Sequence, residues 1–265
     1  MKFSVVTPNY NGARFLERTL QSVLAQRQSG LELEYIVADG GSTDGSLEII
    51  ARYAGDLARV ISGPDRGPAD AINKGLDAAT GDVVSWLNAD DLYYPGALGR
   101  AAAAMATHPR AALCFGRCPI LDEEEREIRT FITGFKEAFF PLSSRFTMQC
   151  INYMSQPATF FRRSAVEGAG RLRTDLKCAW DYEFLLRLLR QGPAVRVPGE
   201  PLSAFRWHPS SISGRLFRVQ FKEEWDAAVA DAGWLSPQAL IHLGVRWGIV
   251  GSYTAMGMRR ARHCR

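Results

Sequence analysis

The sequence predicts an α/β fold: a doubly wound, Rossmann-like mixed sheet with helices on both faces, followed by a C-terminal helical extension. Two observations predict it. Strand-like and helix-like stretches alternate from residue 3 to residue 115, which is typical of a sheet whose strands are joined by helices. The chain has 265 residues, of which 46% are hydrophobic, and this is enough for one large core with an appendage.

The predicted strands and helices follow each other in order along this first part. Short stretches rich in β-branched and aromatic residues are predicted to be strands: 3–6, 35–38, 60–61, 83–87 and 112–115. Apolar residues that recur every three or four positions predict helices: 15–24, 47–53, 69–79 and 95–105. Because ligands of such sheets bind beyond the carboxyl ends of the strands, we expect one crevice at that edge.

Beyond residue 115 the pattern is less regular. Residues 122–126 are charged and predict a solvated turn between two strands. Further helices are predicted at 180–189 and 216–232, where apolar residues again follow helical spacing. The residues after 235 mix apolar and aromatic side chains and end in a basic cluster.

The charge and the cysteine content narrow the class of protein. A formal net charge of +4 is mild, so we expect no nucleic-acid partner. Five cysteines are scattered without a Cys-x-x-Cys pair, which indicates free thiols in a reducing compartment. The N-terminal residues enter a strand pattern without a secretory signal, and no apolar run is long enough to span a membrane. We therefore expect a cytoplasmic protein.

Two adjacent carboxylates, Asp90 and Asp91, follow the apolar run 83–87. That order predicts a buried strand that delivers both side chains to its C-terminal end. Because like charges repel, the pair needs a cation, and hard oxygen ligands suit Mg²⁺ or Mn²⁺. The alternative is a solvated Asp-Asp turn, since Asp commonly forms turns.

Two further polar clusters lie in the first half of the chain, after the second predicted strand. Asp39 ends the second predicted strand, where it either belongs to a well-formed turn or accepts a hydrogen bond from a ligand. Asp70 and Lys74 are one helical turn apart on the next helix. They either form an exposed ion pair of little energetic weight or line a nucleotide pocket.

Two candidates lie in the second half of the chain. Asp181 begins a predicted helix, so it is either a cap or a general base, and Glu183 is its nearby competitor. His208 stands between an arginine and several serines. It either belongs to a structural His-Pro turn or holds a metal or a phosphate.

These motifs occur in a fixed order, which is more specific than any one of them. They are Thr7-Pro8-Asn9-Tyr10-Asn11, Asp39-Gly40-Gly41-Ser42-Thr43-Asp44-Gly45, Asp70-Ala71-Ile72-Asn73-Lys74-Gly75, Leu87-Asn88-Ala89-Asp90-Asp91, Gln156-Pro157-Ala158-Thr159, Trp180-Asp181-Tyr182-Glu183 and His208 to Ser213. The set resembles glycosyltransferase family 2 on the GT-A fold, over roughly residues 3–213. It is most similar to the subgroup that builds bacterial surface polysaccharides.

The resemblance implies an inverting glycosyltransferase that uses Mn²⁺ or Mg²⁺ and a nucleotide-sugar donor, with a preference for uridine. It implies donor-binding roles for Thr7, Pro8, Asn9, Asp39, Asp70, Lys74, Asn88 and Asp90. Asp91 would hold the metal, although the absence of a strict Asp-x-Asp leaves open whether Asp90 is the main ligand. His208 would touch the metal or the diphosphate, and Asp181 would be the base.

The same resemblance suggests how the chain is divided. A catalytic domain is expected at 1–213, with a nucleotide-binding half at 1–115 and an acceptor-binding half at 116–213. The helical extension would occupy 214–265. The acceptor is expected to be a saccharide or a lipid-linked saccharide.

The C-terminal tail has two interpretations. Its apolar residues and its basic end suit a helix that lies on the surface of an anionic membrane, which would make the enzyme peripheral to the inner face of the cell membrane. The alternative is packing on the main domain or on a second copy in a homo-oligomer.

Two other functions compete with the glycosyltransferase. A sugar nucleotidyltransferase shares the layered fold, but it would need a glycine-rich phosphate loop with a basic residue, and residues 9–14 supply a poor one. A non-catalytic nucleotide- or saccharide-binding module would be favoured by the loss of Asp91 or Asp181, and both are present.

Overall fold

The protein is described here by a computed structural model that covers residues 1–27 and 31–248. The strands are β1 (Lys2–Asn9), β2 (Glu32–Asp39), β3 (Arg59–Ser62), β4 (Val83–Trp86), β5 (Leu92–Tyr93), β6 (Leu113–Phe115), β7 (Ile120–Leu121), β8 (Glu127–Ile128), β9 (Thr159–Arg162), β10 (Ala194–Arg196) and β11 (Ser203–Arg206). The helices are α1 (Ala13–Leu24), α2 (Ser46–Arg52), α3 (Pro68–Ala78), α4 (Ala97–Thr107), α5 (Thr130–Glu137), α6 (Arg145–Cys150), α7 (Arg163–Ala169), α8 (Trp180–Gln191), α9 (Ile212–Arg215) and α10 (Phe217–Ala232).

The main sheet has seven strands in the order β10-β6-β9-β4-β1-β2-β3. Strands β3, β2, β1 and β4 run parallel, and β9 runs antiparallel to β4 and β6. The predicted mixed, doubly wound α/β sheet is therefore confirmed. The elements predicted over residues 3–115 are present with their ends displaced by a few residues.

The register of the parallel strands fixes which residues meet at the carboxyl edge. Asn9 at the end of β1 lies opposite Asp39 at the end of β2, and Asp39 lies opposite Ser62 at the end of β3. Trp86 at the end of β4 lies opposite Val6 of β1. The polar residues that follow these strands are therefore neighbours in space, as predicted.

A second, smaller sheet was not foreseen from the sequence. It has the order β5-β11-β7-β8, and the charged turn at 122–126 joins β7 to β8 as predicted. Its strands are two to four residues long, which is too short to show a clear alternation of apolar and polar residues. Because β11 pairs with β5 in this sheet, the end of β11 lies beside the Asp90-Asp91 segment that precedes β5.

Apolar layers cover both faces of the main sheet. On one face Trp86 packs against Phe161 and Phe184, with ring centroids 5.2 and 6.0 Å apart. On the other face Phe3 packs against Phe160 at 6.3 Å. Because the central strands are buried on both sides, their sequences are nearly continuous apolar runs. This rigid core holds the strand ends in place.

The C-terminal helices pack on the main domain. Helix α10 contacts α6 and α8, and residues 237–248 are also helical. In that last segment His242 is buried, and its Nδ1 lies 3.0 Å from the carbonyl oxygen of Gln149. Leu240, Ile241 and Trp247 on the same segment are exposed. Packing on the domain therefore accounts for one face of this helix.

The basic end of the tail, on which the membrane prediction partly rests, lies outside the described residues. It comprises Arg259, Arg260, Arg262 and Arg265. Within residues 1–27 and 31–248, no helix has both the length and the apolar character needed to cross a bilayer. Four cysteines of the described part are free and buried, at positions 114, 118, 150 and 178, as the scattered pattern predicted.

Candidate active site

A cavity of about 1590 Å³ lies at the carboxyl edge of the main sheet. The ends of β1 and β4 form its floor, and α5, α8, α9 and α10 form the opposite walls. Small-molecule sites commonly occupy ~300–1,000 Å³, so this volume gives room for two substrates side by side. A smaller cavity of about 240 Å³ adjoins it between the ends of β2 and β3 and helix α3.

Asp39 is the centre of a hydrogen-bonded cluster at the edge of both cavities. Its Oδ1 accepts from the backbone N–H groups of Gly41 and Ser42, and its Oδ2 accepts from Asn9 Nδ2 at 2.7 Å and Ser42 Oγ at 2.6 Å. Burial alone would raise the pKa of Asp39, but these hydrogen bonds outweigh it and lower the pKa. The carboxylate is therefore ionised and fixed, and it lines the smaller cavity.

The smaller cavity is also lined by Lys74 and by Asp65, a residue that the sequence did not single out. Asp65 borders both cavities, and its Oδ1 accepts from the N–H of Gly67 at 2.8 Å. Gly40 lies close beside it: a Cβ at that position would lie 2.5 Å from an Asp65 carboxylate oxygen, so the carboxylate would have to shift. A carboxylate packed against a glycine turn has no sequence periodicity that could have identified it.

Two predicted donor-binding residues lie away from both cavities. Thr7 is fully buried, and its hydroxyl lies 2.9 Å from the hydroxyl of Tyr35. Asp70 accepts hydrogen bonds from Arg66 and lies 3.6 Å from the Lys74 ammonium. Its geometry is that of the exposed ion pair, the alternative that the sequence left open. The donor-binding roles of Thr7 and Asp70 stay predictions, and this arrangement does not support them.

Asp90 and Asp91 have different surroundings although they are adjacent. Asp91 is fully buried: its Oδ1 accepts from the backbone N–H of Arg206 at 2.9 Å and its Oδ2 from Asn88 Nδ2 at 3.1 Å. Burial and the neighbouring Asp90 charge raise the pKa of Asp91 well above its ordinary value. Asp90 and Asn88 line the large cavity, whereas Asp91 does not. The geometry therefore favours Asp90 as the ligand-facing carboxylate and gives Asp91 a supporting position.

Arg206 holds this segment in place from the end of β11. Its side chain is 2% exposed and donates to the carbonyl oxygens of Asp90, Asp122 and Glu123. It also pairs with Glu125 at 3.1 Å. The guanidinium thus ties the end of β4 to the β7–β8 turn. The sequence showed only an arginine beside His208, and the contacts came from a strand pairing that it did not reveal.

His208 and Asp90 form a pair that faces the large cavity. His208 Nε2 lies 3.1 Å from Asp90 Oδ2, and Nδ1 lies 2.7 Å from Ser210 Oγ. In the described part of the chain no cluster of three or more His, Cys, Asp or Glu side chains could enclose a metal. A carboxylate oxygen and an imidazole nitrogen nevertheless fit Mn²⁺ or Mg²⁺, because these ions bind through one or two side chains and complete their shell with substrate phosphates and water.

Asp181 reaches the same cavity from the start of α8. Its Oδ1 accepts from the backbone N–H of Tyr182 at 2.7 Å. Burial raises the pKa of Asp181 to about 6, and the charge of Glu224 adds to this while Lys136 opposes it. A carboxylate with a raised pKa at the edge of a cavity has the properties of a general base near neutral pH.

Aromatic side chains line much of the large cavity. They are Phe131, Phe135, Phe140, Tyr153, Trp180, Trp207, Phe217 and Phe221. Arg129 lies over the ring of Trp207, with its guanidinium carbon 4.0 Å from the centroid. Such walls bind the faces of sugar rings or an apolar group, so the large cavity differs in character from the smaller, polar one that Asp39 lines.

The family model for glycosyl transferase family 2 matches residues 4–169 of this chain. The chain belongs to that family. The matched residues include Asp39 and Asp90, and they end before Asp181 and His208. The family match therefore covers the ends of β1, β2 and β4 and the cavity wall as far as Pro157, and the cavity-lining residues of α8, α9 and α10 lie beyond it.

Related sequences are named glycosyltransferases. An uncharacterized glycosyltransferase of Nostoc sp. is 44% identical over 38% of this chain and 31% of its own length. One of Rickettsia conorii is 26% identical over 80% of this chain and 35% of its own length. A PGL/p-HBAD biosynthesis glycosyltransferase of Mycobacterium bovis is 37% identical over 43% of this chain and 45% of its own length. The chain thus spans about a third to a half of these relatives.

Solved structures share the fold at low sequence identity. TarS of S. aureus in complex with UDP-GlcNAc aligns with a TM-score of 0.72 at 19% identity, over 89% of this chain and 68% of that one. The mannosyltransferase PcManGT of Pyrobaculum calidifontis, in complex with GDP-Man and Mn²⁺, aligns with a TM-score of 0.63 at 20% identity, over 97% and 80% of the two chains. This similarity confirms the GT-A fold that the motifs predicted.

Proposed function

We propose that this family 2 glycosyltransferase moves a sugar, with inversion, from a UDP-sugar to a hydroxyl of a saccharide or lipid-linked saccharide in bacterial surface polysaccharide synthesis. One observation carries the proposal: a single cavity holds the Asp90–His208 pair on its donor side and the raised-pKa carboxylate of Asp181 on its acceptor side. The structures of TarS in complex with UDP-GlcNAc and of PcManGT in complex with GDP-Man and Mn²⁺ support a nucleotide-sugar donor and a divalent metal.

The donor side would bind and orient the nucleotide. Asp39 accepts hydrogen bonds, so it suits the N–H of a base or a ribose hydroxyl, and Lys74 and Asp65 line the cavity beside it. Asp90 and His208 would hold Mn²⁺ or Mg²⁺ together with the diphosphate. When bound, such an ion neutralises charge on the leaving diphosphate and contributes several kcal/mol.

Asp181 would accept the proton of the attacking hydroxyl. As the acceptor oxygen bonds to the anomeric carbon, the bond from that carbon to the diphosphate oxygen breaks, and the diphosphate leaves with the electron pair. Attack from the face opposite the leaving group inverts the anomeric configuration. A diphosphate leaves without protonation by an acid, in contrast to the leaving group of a glycosidase, so one carboxylate base suffices.

The test is transfer measured across a panel of UDP- and GDP-sugars with Mn²⁺, using saccharide and lipid-linked acceptors. We expect one UDP-sugar to be turned over with inversion, visible in the anomeric coupling of the product. Retention of configuration, or formation of a nucleotide-sugar from sugar phosphate and nucleoside triphosphate, would contradict the proposal. Nucleotide binding without turnover of any donor would favour a binding module.

We further propose that the enzyme is peripheral to the membrane through the exposed face of residues 237–248. Leu240, Ile241 and Trp247 are 58%, 48% and 65% exposed, while Val245 and Arg246 of the same segment line the cavity. An apolar face next to an acceptor cavity suits an enzyme whose acceptor is anchored in lipid. Arg246 adds positive charge that favours anionic lipid.

Co-sedimentation with anionic vesicles at low salt tests this. Trp247→Glu together with Leu240→Glu should abolish vesicle binding and spare transfer to a water-soluble acceptor. Leu47→Glu, at an exposed apolar residue of α2, is the control and should bind vesicles as the unmodified protein does. If the full chain ignores the vesicles but its mass in solution is that of a dimer, the face is covered by a second copy instead.

A further inference from the structure

Glu223 on α10 holds the segment of backbone that leads into α8. Its carboxylate accepts from three consecutive N–H groups: Lys177 at 2.9 Å, Cys178 at 2.8 Å and Ala179 at 3.0 Å. Ala179 is the residue that precedes α8, and its own side chain cannot cap the helix. A carboxylate from a different helix therefore fixes the three residues that lead into α8, and hydrogen bonds to a charged acceptor are among the stronger ones.

The next residue, Glu224, faces the large cavity. It is 4% exposed, lines the large cavity, and its Oε1 accepts from Asn152 Nδ2 and Gln220 Nε2, each at 3.1 Å. Within the described residues no hydrogen bond is assigned to its Oε2. The two adjacent glutamates thus engage both the backbone before Asp181 and the cavity that Asp181 faces.

We infer that α10 is a positioning element of the active site: Glu223 fixes the backbone that leads to Asp181, and Glu224 places a second buried carboxylate in the cavity that Asp181 faces. The inference rests on the proposed role of Asp181 as the base. It assigns function to a helix that begins at Phe217, well beyond the residues that the family model matches. The extension predicted at 214–265 is therefore in part a component of the catalytic domain.

The two glutamates should act through different physical effects. Loss of Glu223 would free three N–H groups and let the start of α8 shift, and a displacement of about 1 Å can cost about 10²-fold in rate. Glu224 on α10 raises the pKa of Asp181 and Lys136 on α5 lowers it, so loss of the Glu224 charge should lower that pKa. Burial raises the pKa of Glu224 as well, so this fall applies at pH values where Glu224 is ionised.

The first experiment compares Glu223→Ala and Glu223→Gln with Asp226→Asn, a control on the same helix. Asp226 pairs with Lys222 at an exposed i,i+4 position, so its variant should match the unmodified enzyme. We expect Glu223→Ala to lower kcat by about 10²-fold with donor KM unchanged. Glu223→Gln keeps one acceptor oxygen, so it should recover part of kcat. A fall in kcat that comes with a raised donor KM and a lowered Tm would show a merely structural role and overturn the inference.

The second experiment measures the pH profile of kcat/KM in Glu224→Gln. We expect its acidic limb to lie at lower pH than in the unmodified enzyme, because Asp181 would lose its proton more readily. An unmoved limb would overturn the role of Glu224. Asp181→Asn separates the two levels of argument: if it keeps full kcat, the proposed function fails, and if it loses kcat while Glu223→Ala does not, only the present inference fails.

Discussion

The donor and acceptor halves of the cavity are built in opposite ways. On the donor side, Asn9 and Asp39 come from the ends of neighbouring parallel strands, and their register alone makes them meet. On the acceptor side, the backbone just before Asp181 is held by Glu223, which lies 42 residues later in the chain than Asp181, on α10. One half is specified by sheet topology, whereas the other depends on packing between helices that are distant in sequence.

This contrast predicts which changes will affect which substrate. Substitutions among the donor-side residues should change donor binding and metal dependence. Substitutions on the acceptor side should change turnover while donor affinity is kept. The predictions below begin with the largest expected effect and test whether the two halves are as separate as their construction suggests.

The largest effect is expected for Asp90→Ala. Asp90 faces the cavity and pairs with His208 at 3.1 Å, so its loss should remove the metal-dependent part of catalysis. Several kcal/mol of transition-state stabilisation correspond to a fall in transfer of about 10⁴-fold. Unfolding monitored by circular dichroism should show an unchanged Tm, because the Asp90 side chain is not part of the buried network.

Asp91→Asn is the matched comparison for that prediction. Both Asp91 oxygens accept hydrogen bonds inside the protein, so this variant should lower Tm and change metal dependence less than Asp90→Ala does. A titration of activity against Mn²⁺ distinguishes them. If Asp91→Asn abolished metal-dependent transfer at an unchanged Tm, Asp91 would be the main ligand, as the family resemblance implied.

The second prediction concerns the acceptor side. Asp181→Asn should lower kcat by roughly 10²–10⁴-fold, since an amide cannot take the proton of the acceptor hydroxyl. Donor affinity, measured by calorimetry with UDP, should be kept. In the unmodified enzyme, Asp181 must be ionised to act, so activity should rise with pH through about 6 and then level off. A large loss of UDP affinity would mean that the two halves are coupled.

The sequence predicted the strand ends of the donor side better than the contacts around Asp181, and the reason is physical. This holds although Asp181 lines the large cavity while two predicted donor-binding residues, Thr7 and Asp70, lie away from both cavities. Buried parallel strands leave continuous apolar runs, and their polar ends share one edge, so Asp39 and Asp90 could be placed without coordinates. That Asp90 faces the cavity while Asp91 is buried could not be predicted. The difference depends on the N–H of Arg206, which β11 brings beside Asp91. Two-residue strands and contacts between distant helices leave no period in the sequence.

The third prediction concerns the contacts that hold the segment carrying Asp90. Arg206 ties the Asp90 segment to the β7–β8 turn through three carbonyl oxygens and Glu125. Arg206→Met should lower the free energy of unfolding by about 2 kcal/mol, since hydrogen bonds to charged groups contribute ~1.5–3 kcal/mol and Glu125 is partly exposed. Urea denaturation measures this. Unchanged stability would show that the turn is held by other contacts.

The smallest effect should come from Asp70, and it tests the donor side where sequence and structure differ most. Asp70 lies outside both cavities and pairs with Arg66 and Lys74 at the surface of α3. Exposed i,i+4 pairs contribute about 0.3–0.5 kcal/mol, so Asp70→Asn should leave donor KM unchanged and lower stability only slightly. Lys74→Met removes a cation that lines the smaller cavity and should raise donor KM by more than Asp70→Asn does. Both KM values are measured with the same UDP-sugar. A larger rise in donor KM for Asp70→Asn than for Lys74→Met would mean that Asp70 turns toward the nucleotide when the donor binds. The donor side would then rearrange on binding and would not be fixed by its strands alone.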